Sequence, residues 1–270
     1  MNIDTVQAIK SLKEDGYTMI TGVLSKNSCL EYVKVLEKIY AEDSPKYASS
    51  NNSASLADKS FEKVVFNLHN KSGDWMKILD HEIIHEIVGP VLKDGSYKNS
   101  EPFYMYNSSA RNPLKGNPGQ QIHVDSNLPG INYPLVVNAL WYLEDSNEEN
   151  GATIVIPDTM KTMQFAEDGK IDYPNKVIVE AKAGDVLLFN ANIWHGGGAN
   201  LNGKSRWAAA VGYARWFIKP SFDTIRNTPM ELYKRLTDRQ KRLLGFDSNP
   251  PLNEFERLNR RAASPEEPRI

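Results

Sequence analysis

A single cysteine, Cys29, in 270 residues leaves no partner for an internal disulfide and rules out a multi-cysteine metal site. No apolar run approaches the roughly 20 residues needed to cross a bilayer. The first residues, MNIDTVQAIKSLKEDG, contain no apolar signal core. Neither sign of charge is in excess: 32 Lys and Arg against 34 Asp and Glu leave a net charge of −2. That balance argues against nucleic acid or an anionic membrane surface as partner. There is no low-complexity block and no internal repeat. Histidine is scarce, at positions 69, 81, 85, 123 and 195 only. The expectation is a soluble cytoplasmic protein whose partner is a small molecule.

What is present is an ordinary globular composition, 40% hydrophobic and 24% charged, long enough to bury a substantial core. Residues 4–14 have helical spacing, GYTMITGVL (16–24) reads as a strand, and 26–41 returns to helical spacing. In that second helix Leu30, Val33, Leu36 and Ile39 form one stripe. Cys29 lies in the same helix, so packing explains it better than reactivity. Residues 42–60 are polar and rich in Ser and Asn, which predicts a surface loop with the length of a lid. A helix is expected over about 74–89.

From residue 102 short strands follow one another between Gly, Pro and Asn turns: PFYMYN, QIHVDS, LVVNALWYL, ATIVIP, KVIVEA, DVLLFNANIW and RWAAAVGYARWFI. Many short strands without intervening helices indicate a sandwich or barrel. A charged helix is expected at about 229–244, then an irregular tail. The whole reads as one domain over 1–270. An N-terminal helical and strand layer (1–99) packs on a mainly β, jelly-roll-like core (100–218), and a C-terminal helix and tail occupy 219–270.

Two stretches compete for the chemistry. HEIIH (81–85) has the His-Glu-x-x-His spacing of a zinc hydrolase, with His81 and His85 as ligands and Glu82 as base. On a wheel of about 100° per residue, Met76, Leu79, Ile83 and Ile87 centre the apolar face, and the two histidines fall opposite. A solvated helix face is therefore the preferred reading. The extended form of the motif is also missing, because Val88 stands where it needs glycine.

In QIHVDS, His123 and Asp125 are two apart, so a strand would point both from one face. His195 closes DVLLFNANIW and precedes three glycines. Two histidines and one carboxylate make the facial set of non-haem Fe(II) oxygenases, which leaves positions open on the metal. Eleven residues further on stands Arg206, sharing a strand face with Ala208, Ala210, Gly212 and Ala214. A row of small side chains below an arginine keeps space for a ligand. The guanidinium fork suits a carboxylate.

His123-Val-Asp125, EENGATIVIP (148–157), AGDVLLFNANIWHGGGAN (183–200) and Arg206, in that order, resemble the phytanoyl-CoA dioxygenase family of Fe(II)- and 2-oxoglutarate-dependent oxygenases. The resemblance implies a double-stranded β-helix over about 100–218. It also implies iron on His123, Asp125 and His195, and the distal carboxylate of 2-oxoglutarate on Arg206. By the same resemblance Trp141, Thr153 and Gln121 match cosubstrate-pocket positions. The implied reaction is oxidation of a C–H bond by O₂, with succinate and CO₂ released. Asp125, absent from halogenating relatives, points to hydroxylation, with desaturation or cyclisation as variants. The chain departs from many relatives at Pro157-Asp158-Thr159-Met160, where they carry Pro-Gly-Ser-His, and at Gly197, where some carry serine.

Candidate substrate contacts are Tyr104, Tyr106, Asn107 and Arg111, just before the triad, and Trp216 at the end of the arginine strand. Two other readings stand beside the oxygenase: a metal-binding jelly roll without turnover, and the zinc hydrolase on HEIIH.

Overall fold

The computed structural model describes residues 3–48, 61–71, 74–96, 103–126, 128–130, 133–170, 172–247 and 253–255. Its centre is a pair of facing antiparallel sheets. The larger sheet contains β1 (Tyr17–Ile20), β2 (Glu62–Phe66), β3 (Phe103–Pro113), β4 (Val136–Tyr142), β7 (Val186–Asn190) and β9 (Ala208–Arg215), in the order β1-β7-β4-β9-β3-β2. The smaller sheet has β5 (Thr153–Ile156), β6 (Val177–Val179) and β8 (Trp194–Gly197), in the order β6-β5-β8.

Alternation along each strand sorts the residues of the larger sheet between two faces. Val137, Ala139 and Trp141 of β4, and Ala209, Val211 and Tyr213 of β9, join the main core. That core also takes in helices α1 (Thr5–Glu14) and α2 (Lys26–Ala48). The alternate set, including Tyr142, Leu187, Phe189 and Ala208, packs towards the smaller sheet with Val155 and Val179. Fully buried Trp141, Trp207 and Tyr213 anchor the helical side. Each such ring removes roughly 150–250 Å² from water.

α1 is opened by Asp4, whose side chain accepts a hydrogen bond from the Gln7 N–H at 2.9 Å. α2 buries Cys29, Tyr32, Leu36 and Ile39, while Leu30 is 56% exposed. Leu36 and Ile39 of the expected stripe are buried, while in its first half Cys29 and Tyr32 take the places of Leu30 and Val33; Cys29 is a packing residue whose thiol burial pushes up to about 11. α2 also runs seven residues past Ala41, so 42–48 are helical rather than loop. The remainder of the expected lid, 49–60, lies outside the described residues, as do 248–252 and 256–270 of the tail.

The expected helix over 74–89 is broken. α3 (Met76–Leu79) ends at Asp80, whose φ of −111° and ψ of 27° are not helical. A wide π-turn at Ile84–Val88 then leads into α4 (Gly89–Lys93). Similarly, 229–244 is two short helices, α5 (Met230–Tyr233) and α6 (Asp238–Leu243). α6 starts at a reciprocal cap, in which Thr237 and Gln240 bond each other's backbone N–H. The strand β2 was not foreseen, since EKVVF is too short to show alternation. No helix among the described residues is long and apolar enough to cross a membrane.

Candidate active site

Among the described residues, one group of three side chains is placed to hold a metal ion: His123, Asp125 and His195, with ligand atoms within 4.8 Å of one another. The route to this convergence differs from the expected strand. Residues 121–126 form no strand; a single antiparallel bridge joins His123 to His195, with N···O distances of 2.9 Å in both directions. Asp125 and Ser126 then donate to the Ala191 carbonyl at 2.9 and 3.2 Å. His195 enters on β8 of the smaller sheet.

Each imidazole is oriented from behind. Nδ1 of His123 lies 2.8 Å from the Gln121 carbonyl, and Nδ1 of His195 lies 3.0 Å from that of Ile193. A carbonyl can only accept, so both Nδ1 atoms carry hydrogen and both Nε2 atoms are left as ligands. Those Nε2 atoms stand 3.4 and 3.3 Å from the two oxygens of Asp125. Burial works against ionisation of Asp125, yet the imidazoles of His195 and His123 hold its carboxyl well below the usual range. On His123, burial lowers the pKa and Asp125 more than reverses this, so the net shift is upward. Asp125 keeps 43% of its side chain accessible although protein surrounds it, as in a group lining a recess.

The recess continues between the sheets. Leu140 and Ala210 lie on the two central strands and face the smaller sheet, yet both are only half-buried. Residues at the middle of a sheet stay accessible in this way only when the space beside them is open. Arg206 closes the far end, 8% exposed. Its backbone N–H donates to Asn112 Oδ1 at 2.9 Å and its Nε to the Asn150 carbonyl at 3.3 Å. No carboxylate forms an ion pair with Arg206 among the described residues; the adjacent Glu62 pairs instead with Arg111 at 2.8 Å. Burial lowers the pKa of Arg206, and it pushes the carboxyl of Glu62 up against the pull of Arg111 and Arg206. A buried cation whose nearby carboxylate is taken by another arginine is costly and fits a carboxylate supplied by a ligand.

The structure brings some sequence candidates together and leaves others out. Thr153 faces the recess, accepting from the Tyr142 hydroxyl at 3.2 Å. Trp141 does not: one step along β4, it belongs to the helical-side core and packs 5.3 Å from the His81 ring. Strand parity assigns the recess to its neighbour Tyr142, which sequence reasoning missed. Gln121 is exposed and enters through its carbonyl, whereas the side chain of Gln120 caps the Gly197 N–H at 2.9 Å.

A β-bulge between Met105 and Asn107 inserts Tyr106 as an extra residue. It sets Tyr104, Tyr106 and Asn107 on one face with Gly212 and Ala214. Arg111 is inside β3, not in a loop, and is engaged by Glu62. Trp216 is 45% exposed past the end of β9, edge-on to Phe217.

HEIIH does not form a site: its two histidines are half-buried rather than fully solvated, and Glu82 stays exposed. With the helix broken at Asp80, His81 turns onto Trp141, His85 bonds Asp80 at 2.7 Å, and Glu82 bonds Arg239 at 2.7 Å. The three side chains go to three different partners.

The family described as "Phytanoyl-CoA dioxygenase (PhyH)" matches residues 12–208. "Dioxygenase aneA" of Aspergillus aculeatus is 26% identical over 251 residues, covering 89% of this chain and 82% of that protein. "Multifunctional dioxygenase prhA" of Penicillium brasilianum is 23% identical over 257 residues, covering 88% and 82%. Among solved structures, HygX from Streptomyces hygroscopicus with nickel and 2-oxoglutarate bound has a TM-score of 0.59 at 17% identity, over 79% of this chain and 88% of that one. The structural likeness shows a shared jelly-roll fold.

Proposed function

The chain belongs to the phytanoyl-CoA dioxygenase family, and from that premise we propose that it is a non-haem Fe(II) enzyme. It uses 2-oxoglutarate and O₂ to oxidise, by hydroxylation in the first instance, a C–H bond of a small organic molecule. The observation that carries this reading is the pairing of two features along β8: a three-ligand group that includes His195 and, two residues further at Gly197, the terminal nitrogen of a buried Arg206 that has no ion pair among the described residues. A dicarboxylic acid that ligates a metal with one end and needs a cation for the other fits both. Structures similar to this one include SnoN in complex with Fe3+, α-ketoglutarate and nogalamycin RO, which supports the same choice of groups.

The donor set fits iron: two imidazole Nε2 atoms and one carboxylate, with further coordination positions left over. Bound iron with 2-oxoglutarate would supply the oxidising power, and succinate and CO₂ would leave as co-products. The protein's own share is positional. Arg206 binds the distal carboxylate through the terminal nitrogens of its fork. Tyr142 and Thr153 border that carboxylate from β4 and β5. Ala208, Ala210 and Gly212 leave room for the chain between its ends. Tyr104, Tyr106 and Asn107 occupy the part of the same face nearest the triad and are assigned to substrate. Bound cosubstrate and substrate would displace water from between the facing sheets, which would strengthen each polar contact inside.

An anaerobic titration tests the reading. Fe(II) and then 2-oxoglutarate are added to apoprotein while the weak visible charge-transfer band of the chelate is followed. The band is expected in the wild type, absent in His195→Ala, and shifted to much higher 2-oxoglutarate concentration in Arg206→Ala. Iron bound with no band at any concentration would sink the oxygenase and leave a metal-binding jelly roll.

A further inference from the structure

Four residues stand side by side across four strands of the larger sheet: Asn107 of β3, Gly212 of β9, Asn138 of β4 and Phe189 of β7. The row lies directly under the triad. At one end the Phe189 ring packs 4.7 Å from that of His195. In the middle, Nδ2 of Asn138 donates to Oδ2 of Asp125 at 2.7 Å. Asn138 is only 9% exposed, on a strand whose other recess-facing residues are Val136, Leu140 and Tyr142. An amide is an expensive choice there unless its bond is needed.

The orientation of both amides follows from their partners. A carboxylate only accepts, so the atom of Asn138 facing Asp125 is the NH₂ group, and its Oδ1 lies on the Gly212 side. The Gly212 N–H, displaced from regular pairing by the bulge, donates to Oδ1 of Asn107 at 3.1 Å. A Cβ at 212 would sit 2.8 Å from Oδ1 of Asn107 and 3.1 Å from Oδ1 of Asn138. Glycine at 212 is what lets the two amides lie over β9.

We infer that Asn138 is a positioning residue for the metal-binding carboxylate. By donating to Oδ2, which also stands 3.3 Å from His195 Nε2, it fixes the plane of the carboxylate and keeps Oδ1 and Oδ2 turned towards His123 and His195. This rests on the reading above that the triad holds a divalent metal. It goes beyond that reading by assigning a group that touches neither metal nor substrate.

The test uses Mn(II) as probe, with free Mn(II) measured by electron paramagnetic resonance in titrations of apoprotein. The variants are Asn138→Leu, which is similar in size without a donor, and Asn138→Ala. Circular dichroism reports the folded fraction of each. Loss of the donor is expected to weaken Mn(II) binding about 10–100-fold and to shift the Fe(II)–2-oxoglutarate band. Phe66→Leu, far along β2, should do neither. If either folded variant binds Mn(II) within twofold of wild type, with an unshifted band, the inference is overturned and Asn138 merely fills space. Failure of the wild type itself to bind Mn(II) would instead overturn the parent reading, so the two failures are distinguishable.

Discussion

Arg206 is the residue whose removal has the most predictable size. A hydrogen bond to a charged partner contributes about 1.5–3 kcal/mol, so Arg206→Ala should weaken 2-oxoglutarate roughly 10–150-fold. Arg206→Lys should fall between the two, because a lysine keeps the charge but loses the two-pronged contact. Calorimetric titration of the metal-loaded protein checks both; equal affinity in Arg206→Ala would remove the residue from the cosubstrate pocket.

His69, far from these residues in sequence, makes a different prediction. It is 3% exposed, its two ring nitrogens have no hydrogen-bond partner among the described residues, and burial, with a smaller effect from Lys71, pushes its pKa down to about 4 from 6.5. Between those values the unfolded chain binds a proton that the folded chain refuses. Its contribution to stability is therefore complete above pH 6.5 and is lost as the pH falls towards 4, by an amount on the order of 3 kcal/mol. Urea unfolding at pH 7 and pH 5 should show the drop in wild type and a much smaller one in His69→Leu.

At the scale of elements, the bulge in β3 and the glycine opposite it are one device. Gly212→Ala should leave the fold intact at a cost of about 1–3 kcal/mol from crowding, while displacing both amides and weakening Mn(II) binding as Asn138→Leu does. Thermal unfolding and the Mn(II) titration report the two effects separately; full metal affinity in this variant would mean the amides have room to spare.

The same scale shows what the sequence made legible. β4, β5, β7 and β9 were readable because alternation persists through each, and the face shared by Arg206 and the small residues of β9 followed from it. The stretch QIHVDS was read as a strand for its β-branched and polar alternation. Only His123 pairs in it, since the N–H groups of Asp125 and Ser126 turn to the Ala191 carbonyl. Parity also separates Trp141 from Tyr142: the resemblance pointed to Trp141, and the register against β9 turns its neighbour Tyr142 towards the smaller sheet instead. The HEIIH wheel placed Met76, Leu79, Ile83 and Ile87 correctly inside, but it assumed an unbroken helix, so it put His81 and His85 further into solvent than the turn at Asp80 leaves them. Asn138 was invisible for another reason. An asparagine in LVVNALWYL gains its meaning from Asp125, which reaches it across the gap between chain segments.

Taken whole, the molecule should be stabilised by the ligands assigned to it. Metal at a hundredfold excess over its dissociation constant raises stability by about 2.7 kcal/mol, so chelation should lower the melting temperature of wild type and leave that of His195→Ala unchanged. His81→Ala and His85→Ala make the converse case. Metal content should be unaffected, while His85→Ala loses stability because Asp80 gives up a buried partner. Loss of metal in either variant would revive the hydrolase reading.

The bridge between His123 and His195 has a mechanical side. Residues 120–126 are fastened to the body by a handful of backbone bonds to Gly197, His195 and Ala191, with no strand pairing on their other side among the described residues. Two of the three proposed metal ligands hang on that narrow seam, and the third is the fabric it is sewn to. An ion gripping both sides acts as a rivet across the seam, and its departure leaves the stitching alone to resist tearing. Limited proteolysis should therefore nick the metal-free protein near this segment and spare the loaded one, so that loss of the ion is followed by loss of the chain.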